Sequence, residues 1–153
     1  MHEEACAALP RVLDAIGFRE GLLVGHSDGA SIAAIYTGSR QDHRVRGVVL
    51  MAPHFFVEDM TVAAIAEART AYASTDLRSR LARWHSNVDI AFRGWNDVWL
   101  EPAFKQWDIR EYLSYIRVPV QIIQGVDDQY GTSRQIEAAE AEWTAHVAEV
   151  AKN

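Results

Sequence analysis

The chain has 153 residues, 49% hydrophobic and 24% charged, with a formal net charge of -6. That is enough for one domain with its own core, and the acidic balance argues against nucleic acid or an anionic membrane surface as a partner. No apolar run reaches bilayer-spanning length, the start Met1-His2-Glu3-Glu4 lacks the basic residues of a signal peptide, and the single Cys6 cannot form an internal disulfide, which together predict a cytoplasmic protein.

Residues 3–16 carry Leu9, Val12, Leu13 and Ile16 at helical spacing. Pro10 kinks that helix or starts a second segment near it, and Gly17 ends it. Leu22-Leu23-Val24 is apolar throughout, as a strand buried on both faces should be. Gly25-His26-Ser27-Asp28-Gly29 follows, and then a small-residue helix from Ala30 to about Thr37, closed by Gly38. Strand, sharp turn and helix with Gly-x-Ser-x-Gly at the turn have a physical logic. Glycines without a Cβ let strand and helix pass closely, while the serine is forced into strained geometry with its hydroxyl turned away from the sheet. The helix aims its first amides at the serine, where an oxyanion would develop. The stretch lacks the Gly-Lys-Ser/Thr ending of a phosphate loop and the glycine spacing of a dinucleotide fingerprint.

A charged loop at 40–44 leads to a second buried strand, Val45 to Met51, which Ala52-Pro53-His54 leaves at its carboxyl end. Residues 55–116 read as a helical insertion without strands: helices over Thr61 to Tyr72, Asp76 to His85 and Val88 to about Arg93, an irregular stretch from Gly94 to Phe104 broken by Pro102, and a helix over Asp108 to Ile116. Trp84, Trp95, Trp99 and Trp107 all fall in this insertion. Each alone reads as packing a helix onto a sheet, and together they read as a lid over an apolar site, with Trp95 and Trp99 as pocket residues. Val118 to Gln124 is the third strand, and it runs into Gly125-Val126-Asp127-Asp128. A final helix spans Thr132 to about Val150, capped by Thr132 or Ser133. The predicted class is therefore α/β. The core, 1–54 with 117–153, has a parallel sheet of about three strands with helices on both faces, and the insertion lies over 55–116. Ser27, His54 and Asp128 each fall just past the carboxyl end of a different strand, the edge at which such sheets bind ligands.

Four stretches carry a resemblance: Leu-Val-Gly-His-Ser-Asp-Gly at 23–29, Ala-Pro-His at 52–54, Phe-Arg-Gly-Trp-Asn-Asp-Val-Trp-Leu at 92–100 and Val-Pro-Val-Gln-Ile-Ile-Gln-Gly-Val-Asp-Asp at 118–128. Over nearly its whole length the chain resembles the α/β-hydrolases, specifically the small bacterial lidded carboxylesterase-like members. The resemblance implies a serine hydrolase acting by acyl transfer on a small apolar ester, without cofactor or metal. Ser27 would be the nucleophile in a nucleophile elbow, the amide of Asp28 an oxyanion donor, and Asp128 the triad acid, three residues after Gly125. Asp127 is the alternative acid, since adjacent strand-end residues point oppositely.

The family pattern has two further parts that this sequence does not contain, so the chain reads as a partial fold truncated at both ends. One is a His-Gly loop upstream of the elbow, which supplies a second oxyanion amide. The other is a histidine beyond one more strand after the acid. His54, at a strand's carboxyl end, and His146, in the last helix, are the candidates for a base. His54 and His26 also read as pocket residues, and His26 is expected to point into the packing around the elbow. His2, His43 and His85 read as surface residues, and the histidines show no metal-ligand spacing. Cofactor-free perhydrolase or haloperoxidase chemistry uses the same triad, and a non-catalytic hydrolase-fold protein or binding module is the alternative from another class. Weak turnover, and either self-association through open sheet edges or marginal stability, are the expectations for a chain so cut, with the apolar faces of Leu22 to Val24 and Val120 to Ile123 left partly open.

Overall fold

Three short strands form one parallel sheet in the order β1 (Gly21–His26), β2 (Val45–Met51), β3 (Val120–Ile123). They belong to a computed structural model that describes residues 1–150, the side chains of 144–150 excepted. Leu23 pairs with Val48, Gly25 with Leu50, and His26 with Met51, while Leu50 and Met51 pair in turn with Ile122 and Ile123. Parallel neighbours need long connections, and helices fill them here. The α/β class and the three-stranded parallel sheet are as the sequence predicts. The chain divides into two units, Met1–Phe56 with Asp108–Asn153, and Val57–Trp107.

In the first unit a π-helical turn at Glu4–Ala8 precedes α1 (Leu9–Ala15). Pro10 lies in the first turn of α1, directly after the π-helical turn, and the helical run from residue 2 to Ala15 is unbroken, so the proline is accommodated within one helical segment. Helix α2 (Asp28–Arg40) packs on β1 and β2 and is buried almost continuously from Ala30 to Gly38. Gly38 does not close this helix. A Cβ there would come 2.3 Å from the carbonyl oxygen of Tyr112, so the glycine permits the close approach of the short α6 (Arg110–Leu113). Helix α2 ends instead at Gln41, in the left-handed region with φ of 48°. The last helix, α7 (Arg134–Val150), packs on α6, and Trp143 Nε1 donates to the carbonyl of Leu113 at 2.9 Å.

Strand alternation sorts the sheet's side chains onto two faces. Val48 and Leu50, on the face that α2 covers, are 2% and 0% exposed. On the other face Leu22 is 59%, Val24 66%, Met51 37% and Ile123 49% exposed. The expectation that Leu22 to Val24 is buried on both faces is therefore corrected: β1 is buried on one.

The second unit holds α3 (Asp59–Ser74), α4 (Leu77–Leu81), α5 (Val88–Trp99) and a 3₁₀ turn at Pro102–Gln106. The irregular stretch predicted from Gly94 is corrected, because α5 continues through that glycine to Trp99. Its buried residues, Val88, Phe92, Asn96 and Trp99, recur at helical spacing, and Asn87 caps its start by accepting from the Ile90 amide at 3.2 Å. Asn96 is tied on both sides: Nδ2 donates to the Ile65 carbonyl at 2.9 Å, and Oδ1 accepts from Arg69 at 2.8 Å. Phe92 stacks on Tyr72, and Trp99 packs edge-on against Phe104 and Trp107. The Arg78 guanidinium and the Tyr72 hydroxyl hold the Asp89 carboxyl down to about 2.

Two predictions concern the first unit. A Cβ on Gly25 would come 2.3 Å from the carbonyl oxygen of Gly29 and 2.6 Å from the Ala30 amide, whereas a Cβ on Gly29 would meet nothing within 4 Å. So only the first glycine of the pentapeptide is sterically required, contrary to the reading that both are. Gly25→Ala should cost about 3 kcal/mol or more, since backbone must move, and Gly29→Ala should be neutral or stabilise by up to ~1 kcal/mol. Urea denaturation checks this, and equal destabilisation by the two would defeat the steric account. Asp42 accepts from the buried Tyr36 hydroxyl at 2.6 Å and from Arg44 at 2.7 Å, which hold its carboxyl well below the usual range. Its contribution should be present above pH ~4 and lost as the pH falls further. The urea midpoint of Asp42→Asn should be lower at pH 6 and should fall less on going to pH 3.

Candidate active site

The site is built from three strand ends. After β1, Ser27 adopts φ of 54° and ψ of -125°, a conformation that a non-glycine residue holds only at a cost. The ladder continues through it: its N–H donates to the Met51 carbonyl at 2.9 Å, while its own carbonyl accepts from Ala30 and Ser31 and so starts α2. Asp28 is the first residue of that helix. After β2, at the equivalent register, Ala52 has φ of 45° and donates its N–H to the Ile123 carbonyl at 2.8 Å. After β3 a turn closes with the Asp128 amide on the Gly125 carbonyl at 3.3 Å.

These ends open on one cavity of about 290 Å³, lined by His26, Ser27, Ala52, His54, Asp127, Asp128, Gln129 and Tyr130. The structure thus brings together Ser27, His54 and Asp128, which are widely separated in sequence. The Asp128 carboxylate is held at both oxygens. Oδ1 accepts from the Tyr130 amide at 2.8 Å and Oδ2 from Gln124 Nε2 at 3.0 Å, and the same Gln124 nitrogen also reaches the Gly131 carbonyl at 3.3 Å. Asp127 is exposed and Asp128 half-buried.

The segment carrying His54 is fixed peptide by peptide. Ser31 Oγ donates to the His54 carbonyl at 2.6 Å; the Phe55 amide donates to Gln135 Oε1 at 2.8 Å; and the Phe55 and Phe56 carbonyls accept from the Ile109 amide and Gln135 Nε2. His54 itself is 4% exposed.

Other residues fall differently. His26 lines the cavity but is exposed, which corrects the expectation that it is packed around the turn: strand alternation buries Gly25 and turns its neighbour outward. Trp95 and Trp99 belong to the second unit, where Trp95 meets Phe92 edge-on and Trp99 is 2% exposed; neither lines this cavity. The side chain of His146 lies outside the described residues. Among the described residues no cluster of His, Cys, Asp and Glu could hold a metal, and no helix is long and apolar enough to cross a membrane. Sequence reading missed Gln124, Gln135, Ser31 and Ala52. Gln124, placed at the end of β3 and four residues before Asp128, carried the one signal that could have been read. The second unit has a larger open groove of about 600 Å³, walled by Val98, Phe104 and Trp107 with Asp97 and Glu101 beside them. Its lining holds two carboxylates but no serine, cysteine or histidine.

A family model described as the alpha/beta hydrolase fold matches residues 2–88. Among solved structures the chain is similar to an enol-lactonase from Burkholderia xenovorans LB400, with 19% identity, TM-score 0.61, and coverage of 93% of this chain and 61% of that one. It is also similar to a structure reported with carboxylesterases of the ammonia-oxidizing thaumarchaeon Nitrososphaera gargenis, at 13% identity and TM-score 0.68 with 93% and 60% covered. An esterase from Rhodococcus sp. ECU1013 matches at 18% identity and TM-score 0.58, with 92% and 61% covered. At these identities the structural likeness concerns the fold, and the chain spans about 60% of the length of these proteins. No curated protein matches it. With the family model covering more than half of its residues and the sheet, crossover helices and strand-end cavity in agreement, the chain belongs to the alpha/beta hydrolase fold family.

Proposed function

We propose that the cavity is an acyl-transfer site for small apolar esters, with Ser27 as nucleophile. The observation that carries this reading is the strained Ser27 at the start of α2, opening on a cavity that a doubly hydrogen-bonded Asp128 also lines. In this reading the turn is a nucleophile elbow. Ser27 Oγ attacks the ester carbonyl carbon, and the Asp28 amide, at the positive end of α2, donates to the oxyanion. An imidazole takes the serine proton, and Asp128 orients it. Asp128 is favoured over Asp127 as the acid because it is the carboxylate held at both oxygens. The role assigned to the second unit is that of the family's lid insertion, and the esterase and lactonase names of the structural neighbours support an ester-like substrate. A cytoplasmic location completes the reading, supported by the single cysteine.

The expected result is hydrolysis of p-nitrophenyl acetate and covalent labelling by a fluorophosphonate, both abolished in Ser27→Ala. Hydrolysis unchanged by that substitution would make the chain a binding protein on a hydrolase fold.

The same sheet supports self-association. β1 and β3 each have an unpaired edge among the described residues, and Leu22, Val24, Met51 and Ile123 expose an apolar face. A second copy of the chain is the occupant assigned to this surface. Light scattering should give a mass above that of the monomer, rising with concentration, and Leu22→Lys with Val24→Lys should return it to the monomer. A monodisperse monomer at all concentrations would count against this assignment.

A further inference from the structure

We propose that the groove of the second unit binds a small organic cation of the quaternary ammonium class, a role that does not depend on Ser27. The groove holds about 600 Å³, the size of an ordinary small-molecule site. It lies where α5 ends and the 3₁₀ turn at Pro102–Gln106 begins, and its lining shares no residue with the cavity at Ser27.

Its wall is aromatic and held in place. Phe104 and Trp107 stack with centroids 5.3 Å apart and planes 16° apart, and the buried Trp99 meets both edge-on. The turn that carries the two stacked rings is closed by its own backbone. The Phe104 amide donates to the Glu101 carbonyl at 2.9 Å, and the Trp107 amide to the Phe104 carbonyl at 2.8 Å. Both rings stay half-buried, so each keeps surface for a ligand, and the exposed Val98 adds aliphatic surface beside them.

Every charge on the lining is negative. Asp97 and Glu101 line the groove, and no lysine, arginine or histidine does. The Glu101 carboxylate is exposed and has no ion-pair partner among the described residues. Asp97 gives one oxygen, Oδ1, to Arg69 at 2.8 Å. Lys105, which follows Phe104 in the chain, pairs with Asp59 at 2.8 Å. The carboxyl end of α5, where helix carbonyls carry partial negative charge, adds to the same field.

These features together select the ligand. An anion would face two carboxylates. A neutral apolar molecule would use the rings and leave the carboxylates idle. A bare ammonium would give up hydration to a wall with few acceptors. A quaternary ammonium is apolar over most of its surface, sits on the faces of tryptophan and phenylalanine, and places its charge beside the carboxylates.

The test is titration calorimetry of the full chain with choline and with its neutral carbon isostere, 3,3-dimethyl-1-butanol. Choline should bind, and the isostere should bind about tenfold more weakly. Glu101→Gln should raise the Kd for choline about 2–5-fold and leave that for the isostere unchanged. Trp107→Leu should weaken choline more than the isostere, and Ser27→Ala should change neither. Should Trp107→Leu fail to fold, Glu101→Gln decides, because Glu101 is exposed and its carboxylate supports no contact of the fold. No binding of choline, or equal affinity for choline and the isostere, overturns the proposal. So does choline binding that survives Glu101→Gln unchanged and is lost in Asp127→Asn, which would place the cation in the cavity at Ser27.

Discussion

The structure depends on the close passage of Gly25 beneath the start of α2. There is no room for a side chain between that residue and the Gly29 carbonyl, so β1 can turn into α2 within four residues. The tightness of the turn sets Ser27 in its positive-φ conformation, at a cost of order 1–3 kcal/mol. The Met51 carbonyl and the first two bonds of α2 hold it there. With α2 so placed, its small residues lie flat on β1 and β2, and its glycine at 38 admits α6. The helical packing on this side of the sheet and the geometry of the serine follow from one steric fact.

Polar contacts finish what the sheet begins. A parallel sheet brings its strand ends to a common edge but does not aim the side chains beyond them. Here the aiming is done by amides and hydroxyls that are themselves buried or half-buried: Gln124 on Asp128, Ser31 on the His54 carbonyl, Gln135 on the next two peptides. Each such bond is worth about 1 kcal/mol net, but leaving its partner buried and unsatisfied costs about 1–3 kcal/mol. The network therefore selects one arrangement more strongly than it adds stability.

The cavity-lining residues Ser27, His54 and Asp128 were legible because they sit at transitions in pattern. The strands end at His26, Met51 and Ile123, and reading one residue or a few beyond each end leads to them. The residues that hold them were not legible. Gln135 looks like any polar residue in the first turn of a helix, and its complete burial depends on a segment 80 positions away in the chain. Ala52, which precedes a proline, would be expected to be extended, because that is what the proline ring favours. Its positive φ follows from the ladder bond to Ile123, a tertiary contact. Gly38 reads as the close of a helix and Gly94 as the start of an irregular stretch. Both lie inside helices, one carried by an amphipathic stripe and the other required by a neighbouring helix. The pattern of β1 was read as two-sided burial, which an all-apolar run suggests, whereas its cover depends on what else packs there.

Gln135 has a consequence for the way the molecule breathes. One amide in the first turn of α7 satisfies two consecutive peptides of the segment that follows His54, and Trp143, two turns further on, fastens the helix to α6. If α7 lifts, the Phe55 amide is left buried without its acceptor, so the helix and the cavity wall open as one cooperative unit. The last helix thus acts as a latch on the site, and the lifetime of the cavity's shape is set by how long that latch stays shut.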